Sequence, residues 1–258
     1  MAIELTISPF PPIKPGCLFC EPSKSEPTRH LEKWDGWGGG HSARNLAEIT
    51  LYESDNLRVI PDSFPVRPDG QHVLIVGKKH RTAFAQPELL VDEVAHFLKR
   101  LRSEASGEVI YAEHGGGMPD INHINRPDKN MSIHHRHAHV VFGSNSLDPL
   151  NYMRDALTRE GWSPRDVETH QGNPIEALRE LYTGNPYLFF NIGNRGLWVE
   201  DQDDRMVSMT TQRHLSTMYG EPVNWKQIPS NPNMANEAYV RFAKLMSHCN
   251  GSGLFIPR

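Results

Sequence analysis

Three histidines at alternate positions, His135, His137 and His139, stand in the stretch Ser132-Ile133-His134-His135-Arg136-His137-Ala138-His139-Val140-Val141-Phe142. Val, Ile and Phe favour strands. In a strand, alternate side chains share a face, so these three imidazoles line one side and His134, Arg136, Ala138 and Val140 the other. Two outer imidazoles can hold a central one and tune its protonation, because histidine changes charge near neutral pH. His137 is therefore a candidate nucleophile or base, with His135 and His139 as its orienting shell. A metal site and a merely polar sheet face stand as alternatives, since 14 histidines make some clustering expected by chance. A second group with chemical potential is Cys17-x-x-Cys20. Such a pair holds a metal or forms a redox couple. Its flanks, Pro-Gly before and a polar run after, suit a zinc half-site better than the strand-to-helix junction of a redox pair. Two plain thiols are the alternative.

The elements that must position these groups are legible along the chain. Residues 1–16 are proline-rich and read as an extended arm. Residues 21–49 are polar and glycine-rich; Gly38 to Gly40 can approach a phosphate through backbone amides or form a flexible loop. Residues 49–62 read as two strands around the turn Ser54-Asp55-Asn56, and His72 to Val76 as an apolar strand. The apolar stripe Leu89, Leu90, Val94, Phe97, Leu98 and Leu101 predicts a helix over 87–105. Gly107 to Glu113 reads as a strand. Further on, helices are expected over 149–157, 173–181, 210–219 and 233–248. Strands are expected over 186–192, 197–200 and 205–209, the first two joined by the turn Gly193-Asn194-Arg195-Gly196.

His135-Arg136-His137-Ala138-His139-Val140-Val141 resembles the signature of the histidine-triad (HIT) superfamily, His-x-His-x-His followed by apolar residues on a strand. Gln71-His72-Val73-Leu74-Ile75-Val76-Gly77-Lys78-Lys79-His80 resembles the family's Gly-His-x-Leu-Val-Ile-Pro-Lys-x-His, with Gln71 for its glycine and Gly77 for its proline. Glu113-His114-Gly115 ahead of the triad is similar to one bacterial HIT-like branch. So is the tail formed by Tyr187 to Phe189, Gln212 and Trp225, although Arg213 follows Gln212 directly and breaks that branch's Gln-x-x-Arg spacing. The spacer positions of the triad are usually apolar, yet Arg136 occupies one: either something polar covers that face or the sheet is partly open there.

The resemblance implies an α+β fold, a HIT-like antiparallel sheet with packed helices elaborated by a C-terminal α+β extension. It divides the chain into an arm (1–16), a catalytic core (17–144) and an extension packed on it (145–258). It also implies a nucleotide hydrolase, phosphorylase or nucleotidyl transferase. His137 attacks the α-phosphorus and carries the nucleotide covalently, His139 and His135 complete the catalytic group, and water or phosphate releases the product. Substrate-binding positions are then His72, His114, Gly115, Lys129, Asn130, Gln212 and Arg213. In some relatives the cysteine pair, the first triad histidine and the Lys-x-His position bind zinc. That places a structural zinc on Cys17, Cys20, His80 and His135, four ligands with no open position. Two further readings are a nucleotide-binding adaptor with little turnover and a transferase acting on a sugar phosphate or other small metabolite. Homodimers, common in the family, are a possible assembly.

Composition narrows the classes. The 258 residues are 38% hydrophobic and 22% charged, as in ordinary globular chains. The net charge of −4 offers no bulk basic field for a long nucleic acid, while a small nucleotide or nucleotide conjugate needs only a local donor set. No run of 18 apolar residues is present, so no membrane span is expected. The start shows no basic region followed by an apolar one, and three cysteines, an odd count, argue against a disulfide framework. A cytoplasmic protein is the expectation.

Overall fold

A computed structural model describes residues 52–62, 66–67, 71–79, 81–86, 91–105, 107–116, 135–143, 147–201 and 210–219. Among them, eight strands form one antiparallel sheet with four α-helices packed on it, an α+β arrangement. The strands are β1 (Tyr52–Glu53), β2 (Leu57–Pro61), β3 (His72–Gly77), β4 (Glu108–Gly115), β5 (His137–Gly143), β6 (Arg165–Glu168), β7 (Tyr187–Ile192) and β8 (Arg195–Glu200). Their order across the sheet is β1-β2-β3-β5-β4-β7-β8-β6. The helices are α1 (Val91–Glu104), α2 (Pro149–Arg159), α3 (Pro174–Leu181) and α4 (Thr210–Met218).

The triad strand β5 thus lies inside the sheet, between β3 and β4. Leu74 and Val76 stand opposite His139 and His137 on one side, and Ala112 and Glu113 opposite His139 and Ala138 on the other. Directly opposed residues share a face. His137, His139 and Val141 therefore lie on one face with His72, Leu74, Ala112 and Ile110. Arg136, Ala138, Val140 and Phe142 lie on the other with Ile75, Gly77, Tyr111 and Glu113.

Each face has its own apolar layer. On the face away from the histidines, Val94, Phe97, Leu98 and Leu101 of α1 and Ile175 and Leu178 of α3 pack on Val73, Ile75, Ala138, Val140 and Phe142. On the histidine face, Leu150, Met153 and Leu157 of α2 and Leu215 and Met218 of α4 pack on Ile110, Ala112, Val141, Leu188 and Phe190. Among the described residues, those from 147 onward share these two layers. They add β7, β8 and β6 to the edge of β4 and send one helix to the far face and two to the histidine face.

Local chemistry sets these elements. Asp148 caps α2, its carboxylate accepting from Leu150 N at 3.0 Å and Asn151 N at 3.3 Å, with Pro149 in the first turn. Asn173 caps α3 in the same way through Ile175 N at 3.1 Å, ahead of Pro174. Such a cap contributes about 1 kcal/mol. The β7–β8 hairpin turns on Gly193 and Asn194, with Ile192 opposite Arg195; Gly193 has φ 57°, the positive value a II′ turn needs at its first central residue. Strand β6 was not expected. Arg165, Asp166, Val167 and Glu168 carry no alternating apolar pattern, because three of the four are exposed at the sheet edge. The expected strand over 205–209, the helix over 233–248, the arm and Gly38 to Gly40 lie outside the described residues.

Candidate active site

His137 opens β5 with its ring half-buried on the histidine face. Its Nδ1 stands 2.8 Å from the carbonyl oxygen of His135. A carbonyl only accepts, so Nδ1 carries the proton and the lone pair of the neutral ring is on Nε2. The ring is also held neutral: its pKa falls to about 4, first through desolvation and then through the neighbouring charge of His139, with His114 acting in the same direction. The backbone bond to His135 and the charge of Asp62 work against this. A neutral imidazole with its tautomer fixed from behind is what nucleophilic attack requires.

His135 itself does not sit on the strand. It lies in the bend just before β5, 1% exposed, and its Nε2 donates to Gly77 O at 2.5 Å. The expectation of three imidazoles in one row is met by His137 and His139. His135 contributes its carbonyl to His137 and its ring to the β3 end.

His139 is buried with its Nδ1 facing a group at the rear of the site. His72 Nε2 is 3.0 Å from it and Asp62 Oδ2 is 3.4 Å from it. Asp62 Oδ2 is also 3.3 Å from His72 Nε2 and accepts from Gln212 Nε2 at 3.1 Å. On the far side of the His72 ring, Nδ1 accepts from Val66 N at 3.1 Å. That amide leaves the single proton of neutral His72 on Nε2. Burial holds the ring neutral, with its pKa down to about 3, although Asp62 pulls the other way. His139 Nδ1 therefore has a donor, His72 Nε2–H, and an acceptor, Asp62, beside it. A neutral His139 accepts from His72, and a protonated one donates to Asp62. In the protonated state Nε2 of His139 bears a proton that can be given to a leaving group, while Nδ1–H stays on Asp62.

Among the described residues, Asp62, His72 and His139 also form a group whose ligand atoms converge closely enough for a metal ion. The Val66 amide argues against one. To ligate through Nε2, His72 would carry its proton on Nδ1, where it would meet the Val66 N–H head on. Hydrogen bonds account for the cluster.

The other candidate residues divide clearly. His114 is half-buried on β4, where the β4–β5 register, continued one step beyond Glu113 and Ala138, places it next to His137. Gln212, 9% exposed, meets the site through Asp62. Arg213 does not approach the site: its guanidinium pairs with Glu160 at 2.8 and 2.9 Å on the surface. Successive helical residues point about 100° apart, so the turn that aims Gln212 at the sheet aims Arg213 at solvent. His72 is 1% exposed and acts behind His139, where a direct contact to substrate had been expected. A Cβ on Gly115 would overlap the Tyr187 ring, so this glycine admits an aromatic ring on the opposite face. Tyr187, 0% exposed, donates to Glu113 at 2.8 Å there. Lys129, Asn130, Cys17, Cys20 and His80 lie outside the described residues.

Asp62 and Val66 were missed from the sequence. The available signal was a lone carboxylate closing the apolar strand Leu57–Pro61, ten residues before a histidine already suspected.

No family model matches the chain, and no curated protein matches it. Among solved structures, it is similar to yeast Ap4A phosphorylase Apa2 in complex with AMP, at 11% identity and TM-score 0.41, with 73% of each chain covered. It is also similar to a DUF4931 family protein from Bacillus cereus ATCC 10987, at 13% identity and TM-score 0.33, covering 67% of this chain and 100% of that one. Among the described residues, no helix is long and apolar enough to cross a membrane.

Proposed function

We propose that the chain is a nucleotide-processing enzyme of the HIT type. It transfers a nucleotidyl group from a phosphoanhydride, phosphoester or phosphoramidate to water or phosphate through a nucleotidyl-histidine on His137. The observation that carries this reading is the neutral, tautomer-fixed ring of His137, with the Nε2–H of His139 beside it; the two ring centroids are 5.4 Å apart.

In the first step, the Nε2 lone pair of His137 attacks the α-phosphorus, the P–N bond forms and the bond to the leaving oxygen or nitrogen breaks. His139 Nε2–H supplies the proton that the leaving group takes up, and Asp62 holds the imidazolium before it gives that proton away. In the second step, water or phosphate attacks the same phosphorus, the P–N bond breaks to release His137, and a proton from attacking water returns to Nε2 of His139. The Nδ1–H of His137 stays on the His135 carbonyl throughout, which stabilises the positive charge the ring acquires. His114 and the donors expected from Lys129 and Asn130 surround the equatorial oxygens in this reading.

A structural zinc on Cys17, Cys20, His80 and His135 is part of this proposal, supported by the hydrogen bond of the His135 ring. A ligating imidazole normally donates its second N–H to a carbonyl. His135 Nε2 makes that bond to Gly77 O, so in this reading the metal would be held through Nδ1. Bound there, zinc would tie the arm to the β3–β5 junction.

The deciding experiment is a screen of nucleoside polyphosphates, nucleoside phosphoramidates and nucleotide sugars, with and without inorganic phosphate. Product identity separates hydrolase, phosphorylase and transferase. His137→Ala is expected to stay folded and lose turnover by many orders of magnitude. Wild-type rates in that variant would remove His137 from the chemistry. Binding without turnover across the whole panel would favour the adaptor reading.

A further inference from the structure

On the face opposite the histidines, the Arg136 side chain is 1% exposed and lies flat on the backbone of Gly77. A Cβ at residue 77 would overlap Arg136 Nε and stand 2.7 Å from Cζ and 2.8 Å from Cδ. Only glycine admits the guanidinium at this height. Gly77 is at the same time held by Arg136 and His135 of the triad segment. Its N–H donates to Arg136 O at 3.3 Å, and its carbonyl accepts from His135 Nε2 at 2.5 Å. His135 in turn presents the carbonyl that fixes the Nδ1–H of His137.

Arg136 is anchored from below. Its backbone N–H donates to Arg81 O at 2.5 Å, and its Cζ stands 5.5 Å from the centroid of the Phe84 ring. The buried carboxyl of Glu113 feels its charge. That carboxyl is itself held by Phe84 N at 2.7 Å and by the hydroxyls of Tyr111 and Tyr187, each at 2.8 Å. A continuous set of contacts therefore runs from Glu113 and Phe84 through Arg136 to Gly77, then to His135 and His137.

We propose that Arg136 and Gly77 form a matched pair that positions His137: the arginine stem, packed on the bare Gly77 backbone, sets where the His135 carbonyl meets the His137 ring. Arg136 is thus a positioning residue that never touches the substrate. The inference rests on the reading of His137 as the nucleophile.

The test is the imidazole nitrogen spectrum of His137 in the full chain, which separates an Nδ1–H from an Nε2–H ring and needs no substrate. Arg136→Ala empties the space over Gly77. The expected result is a folded protein in which His137 becomes a mixture of tautomers. On whichever substrate turns over in the screen, kcat is expected to fall at least about tenfold at unchanged KM, since only the orientation of the nucleophile is lost. Arg136→Lys keeps a stem over Gly77 and a positive end toward Glu113, and is expected to retain the Nδ1–H ring and near wild-type kcat. Should Arg136→Ala not fold, Arg136→Gln, shorter and uncharged, takes its place with the same expectation. A single Nδ1–H tautomer with unchanged kcat in a folded Ala or Gln variant overturns the proposal, as does an equal loss in Arg136→Lys. If nothing in the panel turns over, the functional reading fails, while the tautomer measurement still decides the positioning role.

Discussion

Glu113 should make the stability of this protein fall as the solution is taken through neutral pH. The carboxyl is 0% exposed, and burial pushes its pKa from 4.5 up to about 7, in spite of the three donors around it and the charge of Arg136. Below pH 4.5 both the folded and the unfolded chain hold the proton. As the pH rises from 4.5 to 7 the unfolded chain releases it and the folded one does not, so stability drops by about 1.4 kcal/mol for each pH unit. Between pH 5.5 and 7.5 this group alone removes about 2 kcal/mol. Glu113→Gln keeps the shape and an acceptor for Phe84 N but does not titrate. Urea unfolding of both proteins at pH 5.5, 6.5 and 7.5 isolates the effect, because His72 and His137 titrate in both and cancel in the difference. The variant is expected to gain about 2 kcal/mol on the wild type between the lowest and highest pH. A difference that stays constant over the three values refutes the reasoning and means that Glu113 ionises as it would in water.

Asp62→Asn removes the negative charge that stabilises a protonated His139. It should lower kcat about a hundredfold on substrates whose leaving group needs a proton and much less on those with a good leaving group; equal losses on both would place Asp62 outside proton transfer. Arg213→Ala breaks a surface pair with Glu160 and should leave kcat and KM unchanged at a stability cost under about 1 kcal/mol; a raised KM in steady-state kinetics would bring that side chain to the substrate after all. Metal analysis of protein purified without chelator should find about one zinc per chain, and Cys17→Ser should lower both metal content and Tm. Absence of metal, with melting unaffected by chelator, would remove the zinc site from the reading.

The sheet was legible wherever the pattern is set by burial. Strands β3, β5 and β7 lie inside the sheet and read as apolar runs, and Pro149 and Pro174 mark the starts of two helices. What escaped the sequence is what depends on partners distant along the chain. Asp62 and Gln212 are 150 residues apart and meet at one oxygen, and nothing local to either announces it. Arg213 was a reasonable phosphate ligand by type, but its direction is decided by which side of α4 faces the sheet, and Gln212 settles that. Edge strand β6 is polar because it is an edge, so its sequence carries the signal of a loop.

Arg136, Gly77 and Gln71 depart from the pattern that the sequence resembles, and each has a packing counterpart in the structure. Read one at a time, an arginine in the triad spacer, a glycine in place of proline and a glutamine in place of glycine look like losses. Arg136 and Gly77 are one packing solution, since the guanidinium occupies the volume that any side chain at 77 would need. Gln71 has a counterpart too. Its carbonyl accepts from Phe142 N at 3.1 Å, and its side-chain oxygen lies 2.5 Å from where a Cβ of Gly143 would stand. Gly143 has φ 128°, a value that side chains disfavour. Each unusual residue is matched by a glycine that makes room for it, one at each end of β5. The Arg136–Gly77 and Gln71–Gly143 contacts thus brace β5 at both ends, around the two histidines His137 and His139.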